Sequence, residues 1–147
     1  MAMLDETVIL LVEDNEGHAN LIQRNLERAG ITNKIMIFDD GLKVVNFLFM
    51  AGDGPKRTPQ TAYAILLDIR IPVMDGIEVL KAIKSNEKLK SIPVIVLTTT
   101  DEPVTIEKCN ALGCTDYITK PSDYEQFIEA INNIAQSLET IEIPVIN

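Results

Sequence analysis

The feature that most constrains this chain is an alternation. Five short apolar runs stand along it: VILLV (8–12), KIMIF (34–38), AYAILL (62–67), PVIVL (93–97) and DYIT (116–119). Between and after them lie longer segments whose apolar residues fall at helical spacing. These are Ala19, Ile22, Leu26 and Ala29; Leu42, Val45 and Phe49; Ile77, Leu80 and Ile83; a weaker set of Ile106, Cys109 and Leu112; and Phe127, Ile131, Ala135 and Leu138. Runs this short suit buried strands, and strands alternating with helices build a parallel sheet with crossover helices on its faces. The expected fold class is α/β, a doubly wound five-stranded parallel sheet. No internal repeat with a period of about 20–50 residues interrupts the pattern.

A chain of 147 residues is most simply one domain, long enough to bury a sizeable core. Its net charge of −9 disfavours nucleic acid as a partner, because binding a phosphate backbone depends on Lys and Arg displacing counterions. The opening MAMLDETVILLVED lacks the basic start of a signal peptide. No stretch approaches the roughly 18 apolar residues of a membrane helix, so no membrane partner and a cytoplasmic location are expected. Cys109 and Cys114 lack metal-site spacing and read as reduced, packing cysteines.

The polar residues just past the strands carry the chemistry. The first run ends in Glu13 and Asp14, the third in Asp68, the fourth in Thr98 and the fifth in Lys120. An aspartate alone in LLDIRIPVMDG (66–76) reads as a cap or turn residue. In a doubly wound sheet, however, the carboxyl ends of the strands share one edge, where a crevice opens. Two carboxylates about 4 Å apart repel by roughly 4 kcal/mol at an effective dielectric of about 20, so three need compensating cations. Lys120 supplies one charge, and an oxygen-rich cluster without sulfur or imidazole suits Mg2+. A carboxylate beside Mg2+, with a hydroxyl and an ammonium near, is equipped to accept a phosphoryl group.

The motifs VED (12–14), LLD (66–68), IPVMDG (71–76), VLT (96–98) and YITKP (117–121), in this order at strand ends, resemble those of response regulator receiver domains. The resemblance covers residues 7–138. It implies a flavodoxin-like (βα)5 fold with strand order 2-1-3-4-5. It implies that Asp68 accepts a phosphoryl group from the phosphohistidine of a sensor histidine kinase, a signalling reaction rather than turnover of a metabolite. It further implies that Glu13, Asp14, Asp68 and the backbone carbonyl of Arg70 hold Mg2+, and that Thr98 and Tyr117 form a switch. Lys120 would contact the phosphoryl group, with a cis peptide before Pro121, although an X-Pro bond by itself favours trans.

After residue 138 only ETIEIPVIN (139–147) remains, so a single-domain regulator that signals by protein docking is expected. The alternative is an intermediate carrier that passes the group to a phosphotransfer protein in a phosphorelay. The long second loop and apolar tail resemble the small regulators paired with cyanobacterial phytochromes, which implies a phytochrome-like kinase. Ile141, Ile143, Val145 and Ile146 are expected to pack on the face of the fourth helix, fifth strand and fifth helix, or on a second copy as a homodimer. Pro144 argues against a long added strand, so packing is expected through side chains.

Other features have plainer readings. His18 is expected to be a partly packed surface histidine, Asp40 and Asp75 to open helices, and AGDGPKRTPQT (51–61) to be a surface insertion. Lys81, Lys84, Lys88 and Lys90 read as a solvated basic stripe. The side chain of Arg70 is expected either to cover the phosphoryl group or to pair with Glu13. Rival functions fit less well. A flavodoxin-type FMN carrier needs Gly, Ser and Thr where this chain has EDNE (13–16), and a haloacid-dehalogenase-like phosphatase needs a second Asp where it has Arg70. A degenerate receiver would lack part of a set that is complete here.

Overall fold

The computed structural model describes residues 5–147; the reading of the chain's first residues, 1–4, lies outside them. Five strands and five helices alternate: β1 (Val8–Val12), α1 (Glu16–Arg28), β2 (Ile35–Phe38), α2 (Gly41–Phe49), β3 (Thr61–Leu67), α3 (Gly76–Lys84), β4 (Val94–Thr98), α4 (Pro103–Leu112), β5 (Asp116–Thr119) and α5 (Tyr124–Thr140). The strands pair in the order β2-β1-β3-β4-β5, all parallel, as the alternation and the resemblance predict.

The apolar runs are nearly continuous because both faces of the sheet are covered. Leu10, Val12, Ile65, Leu67, Val94 and Val96 point to one face, where α2, α3 and α4 contribute Phe47, Val79, Leu80, Ile83 and Cys109. The alternate residues Ile9, Leu11, Ala64, Leu66, Ile95 and Leu97 meet Ile22 and Leu26 of α1 and Phe127, Ile131 and Leu138 of α5. The period of two along each strand thus separates two cores.

The helix starts expected at Asp40 and Asp75 are found, and Asn15 and Asp123 serve in the same way. Asn15, Asp40, Asp75 and Asp123 each accept a backbone N–H from the first turn of the helix they precede, a cap worth about 1 kcal/mol. α4 is the exception. Glu102 at its start gives no side-chain cap, and Cys109 is its only buried residue, which accounts for its weak sequence pattern.

The tail departs from expectation. After Pro144 the chain forms a short strand, β6 (Val145–Ile146), antiparallel to the start of β3, with Thr61 opposite Ile146 and Ala62 opposite Val145. β1 pairing begins only at Tyr63 and β4 pairing at Ile65, so the first residues of β3 have free backbone groups for it. Ile146 enters the α2–α4 core, while Ile141 and Ile143 pack on the other. The expected packing on the α4–β5–α5 face is therefore corrected: within its own chain the tail adds to the start of β3, where unpaired backbone and apolar surface coincide.

The 51–61 loop is likewise more than a surface insertion. Arg57 is only 5% exposed. Its Nε donates to the Leu48 carbonyl and its Nη2 to the Asn147 carbonyl, both at 2.8 Å. It clamps the end of α2 to the end of the chain. Lys84 also leaves the expected solvated stripe, since its ammonium donates to the carbonyls of Lys90 and Ile92. Among the described residues no helix is long and apolar enough to cross a membrane.

Candidate functional site

Register assembles the site. Val12 of β1 stands opposite Leu67 of β3, so the next residues, Glu13 and Asp68, leave the sheet side by side. Thr98 closes β4 opposite Thr119 of β5, and Lys120 comes directly after it. One carboxylate oxygen from each of Glu13, Asp14 and Asp68 lies within 4.8 Å of the others. Lys120 reaches into this cluster, pairing with Glu13 Oε1 and, at 3.2 Å, with Asp68 Oδ2. Glu13, Asp68, Thr98 and Lys120 are all buried, whereas Asp14 is exposed.

Burial pushes the Glu13 carboxyl above its usual range, opposed by the Lys120 ammonium that donates to it. Three carboxylates and one ammonium leave a formal charge of −2 in a partly dry site, which a single divalent cation cancels. The donor set fits such an ion: oxygen only, with the exposed Asp14 leaving room for retained water. The carboxylates of Glu13, Asp14 and Asp68 are the residues that would hold it.

The turn behind Asp68 is tightly built. Asp68 Oδ1 accepts the Arg70 N–H at 3.2 Å. The Met74 N–H returns to the Pro72 carbonyl at 2.9 Å around Val73, whose φ of 70° makes a strained γ-turn. A Cβ on Gly76 would stand 2.5 Å from the Asp68 carbonyl oxygen, so only glycine lets α3 start this close to the site.

The Arg70 side chain does not pair with Glu13, whose carboxylate is taken by Lys120. Its Nε donates to Thr100 Oγ1 at 2.8 Å, and its Nη2 lies 3.9 Å from Glu102 Oε1. Thr100 also receives the Tyr117 hydroxyl on its carbonyl at 2.6 Å, and its own N–H approaches Thr98 Oγ1 at 3.5 Å. Burial, with Cys109 near, pushes the Tyr117 phenol up to about 12. Thr100 thus joins the loop after Asp68, the end of β4 and Tyr117 of β5. The sequence reading missed it, although its place two residues past Thr98 on the same loop was the available signal.

None of the peptide bonds among the described residues is cis, so the expectation at Lys120–Pro121 is corrected to trans. The intrinsic preference of the tertiary amide holds, and Lys120 still reaches the carboxylates. His18 stands closer to the site than a surface residue would. Its Nδ1 is 3.1 Å from Lys120 Nζ, and burial, then Lys120, lowers its pKa.

A parallel 2-1-3-4-5 sheet with an acid trio, a lysine and a threonine at its carboxyl edge defines a class, and comparison with known proteins agrees. Residues 9–132 match the response regulator receiver domain, and the chain belongs to that family. It is 36% identical to the response regulator Rcp1 of Synechocystis over 93% of this chain and 92% of that protein. The Mn2+-bound structure of Rcp1 superposes with a TM-score of 0.83 over 94% of this chain and 99% of that one. A receiver domain from Rhodospirillum rubrum superposes with a TM-score of 0.88 at 38% identity, covering 95% and 99% of the two chains. The phosphorylated cyanobacterial phytochrome response regulator RcpA does so at 0.83 and 34%, covering 93% and 97%.

Proposed function

We propose that Asp68 is the phosphoacceptor of a two-component response regulator. A carboxylate oxygen of Asp68 attacks the phosphorus of a phosphohistidine on a sensor kinase. The P–N bond breaks, and its electron pair stays on the imidazole nitrogen, which takes up a proton. Lys120 meets the phosphoryl oxygens, and Thr98 donates to another. A bound Mg2+ would supply charge neutralisation and polarisation of the phosphoryl oxygens, and it would be held by Glu13, Asp14, Asp68 and the Arg70 carbonyl. The observation that carries this reading is the Lys120 ammonium standing against both Glu13 and Asp68, one acid for the cation and one for the phosphoryl group.

The signal leaves through Tyr117 and α4. Adding a dianionic group at Asp68 draws Thr98 and Lys120 inward, and Tyr117, bonded to Thr100, moves with that loop. α4 buries only Cys109 fully, with Leu112 partly packed and Val104 exposed, so its outer surface is free to repack against a partner protein. The likeness to the phytochrome regulator RcpA supports a phytochrome-like kinase as the donor. A tail-mediated homodimer has less to support it, since Ile141, Ile143 and Ile146 pack within their own chain and only Val145 stays exposed.

The test is incubation with acetyl phosphate and Mg2+, followed by mass spectrometry. A single phosphoryl adduct is expected on the natural chain and none on Asp68→Asn, with the fold of the variant checked by circular dichroism. No adduct on the natural chain, or one that survives the substitution, overturns the assignment.

A further inference from the structure

The chain holds one histidine, and it stands at the rim of the acid cluster. His18 lies in the first turn of α1, where Asn15 accepts its backbone N–H at 2.9 Å and fixes the start of the helix over the carboxyl edge of the sheet. Its ring meets Phe127 of α5 nearly edge to face, with centroids 5.6 Å apart and planes at 72°. Its Nδ1 lies 3.1 Å from Lys120 Nζ and 4.0 Å from Glu13 Oε1. The side chain is 38% exposed, while that of Lys120 is 2% exposed.

An ammonium carries donors and no acceptor, so at this separation Nδ1 must accept and the ring proton must sit on Nε2. The three N–H groups of Lys120 are then all used, by Glu13, Asp68 and His18. Two of those partners are carboxylates on which phosphorylation and metal binding both draw. His18 is the neutral one, and neither event consumes it. A merely packed histidine would account for the Phe127 contact, but not for a ring nitrogen set against a buried ammonium.

We propose that His18 is a positioning residue for Lys120: it accepts one ammonium N–H and keeps the other two aimed at the place an incoming phosphoryl group occupies. The inference rests on Asp68 being the phosphoacceptor. Phe127 fixes the ring from the side of α5, so the arrangement depends on the α1–α5 packing as well as on the strand ends.

Two measurements test it. With a single histidine, the ring nitrogens give one unambiguous NMR signature, read in the metal-free protein. A neutral ring protonated on Nε2 is expected, with an Nδ1 shift that moves in Lys120→Met. A ring protonated on Nδ1, or one indifferent to Lys120→Met, overturns the proposal. The second measurement is the rate of labelling by acetyl phosphate with Mg2+. His18→Leu is expected to slow it about tenfold, the equivalent of one charge-assisted hydrogen bond. His18→Asn, which offers an amide oxygen where Nδ1 stands, is expected to recover most of the loss. Labelling of His18→Leu at the natural rate, or a His18→Asn no faster than His18→Leu, overturns the proposal while leaving Asp68 as the acceptor. A natural chain that takes no label overturns the phosphoacceptor reading and this inference with it.

Discussion

Arg70 Nε donates to Thr100 Oγ1 at 2.8 Å, so a side chain two residues past Asp68 is tied to a loop two residues past Thr98. This bridge spans the two strand ends between which a phosphoryl group on Asp68 would sit. There it would stand across one approach for water to such a group, and the Arg70 guanidinium is held by Thr100 although its side chain is 67% exposed.

Arg70→Ala should therefore shorten the life of the phosphorylated state by a few-fold, and Thr100→Val should do so in the same direction by removing the acceptor. Decay of the labelled protein, tracked by mass spectrometry after removal of the donor, measures this. A half-life that is unchanged or longer in Arg70→Ala counts against shielding. Arg70→Ala should lower stability little, since Arg70 is exposed, whereas Thr100 is buried and Thr100→Val should cost about 1 kcal/mol for the lost hydrogen bond.

Divalent binding should depend on Asp14, the exposed member of the acid trio. Asp14→Ala leaves Glu13 and Asp68 with Lys120 and removes one ligand without opening the core. A loss of about tenfold or more in Mg2+ affinity is expected, comparable to that for disturbing a metal's supporting shell. Calorimetric titration decides, and an affinity equal to that of the natural chain would place the metal elsewhere. EDTA should suppress labelling by acetyl phosphate in parallel.

The two thiols should behave differently. Burial, with Cys114 beside it, pushes the Cys109 thiol up to about 11. Cys114 is only half-buried, so iodoacetamide near neutral pH should modify Cys114 first and Cys109 only after denaturation. Peptide mapping reads the order, and equal rates in the native protein would refute it. The same shift links stability to pH. A thiol whose folded pKa lies above the unfolded value stabilises the fold fully below the ordinary value of 9, and that contribution is lost as pH rises through about 11.

Truncation after Leu138 should lower stability, because it removes the buried Ile146, unpairs the first residues of β3 and strips the Arg57 guanidinium of its Asn147 acceptor. The expected cost is about 2–4 kcal/mol, a fall of roughly 5–15 °C in Tm for a domain of this size. Calorimetry of the two forms tests the clamp, and coincident melting would show that the tail contributes nothing. Sedimentation of the same pair separates this from a tail-borne dimer, which would dissociate on truncation.

The sheet, its helices and the content of the acid, hydroxyl and lysine set were legible in the chain itself, because those depend on period and order. An apolar run buried on both faces is a strand wherever it stands. Each polar residue placed just past such a strand in a doubly wound sheet is carried to the same edge, so Glu13, Asp14, Asp68, Thr98 and Lys120 could be gathered before any distance was known. The caps Asp40 and Asp75 were legible for the same local reason.

Which partner each long side chain takes was settled only on folding. Arg70 was expected to cover the phosphoryl group or to pair with Glu13; in the fold it is joined to Thr100, while Lys120 takes Glu13. His18 read as a partly packed surface residue, and its 38% exposure and packing on Phe127 agree, but its contact with Lys120 came only with the fold. Arg57 and the tail gave no periodic signal, and their burial depends on a carbonyl 90 positions along the chain. Contacts of this kind are decided by competition among acceptors that only the folded chain brings within reach. Period and spacing carry no record of that competition, because it turns on distances between residues far apart in sequence.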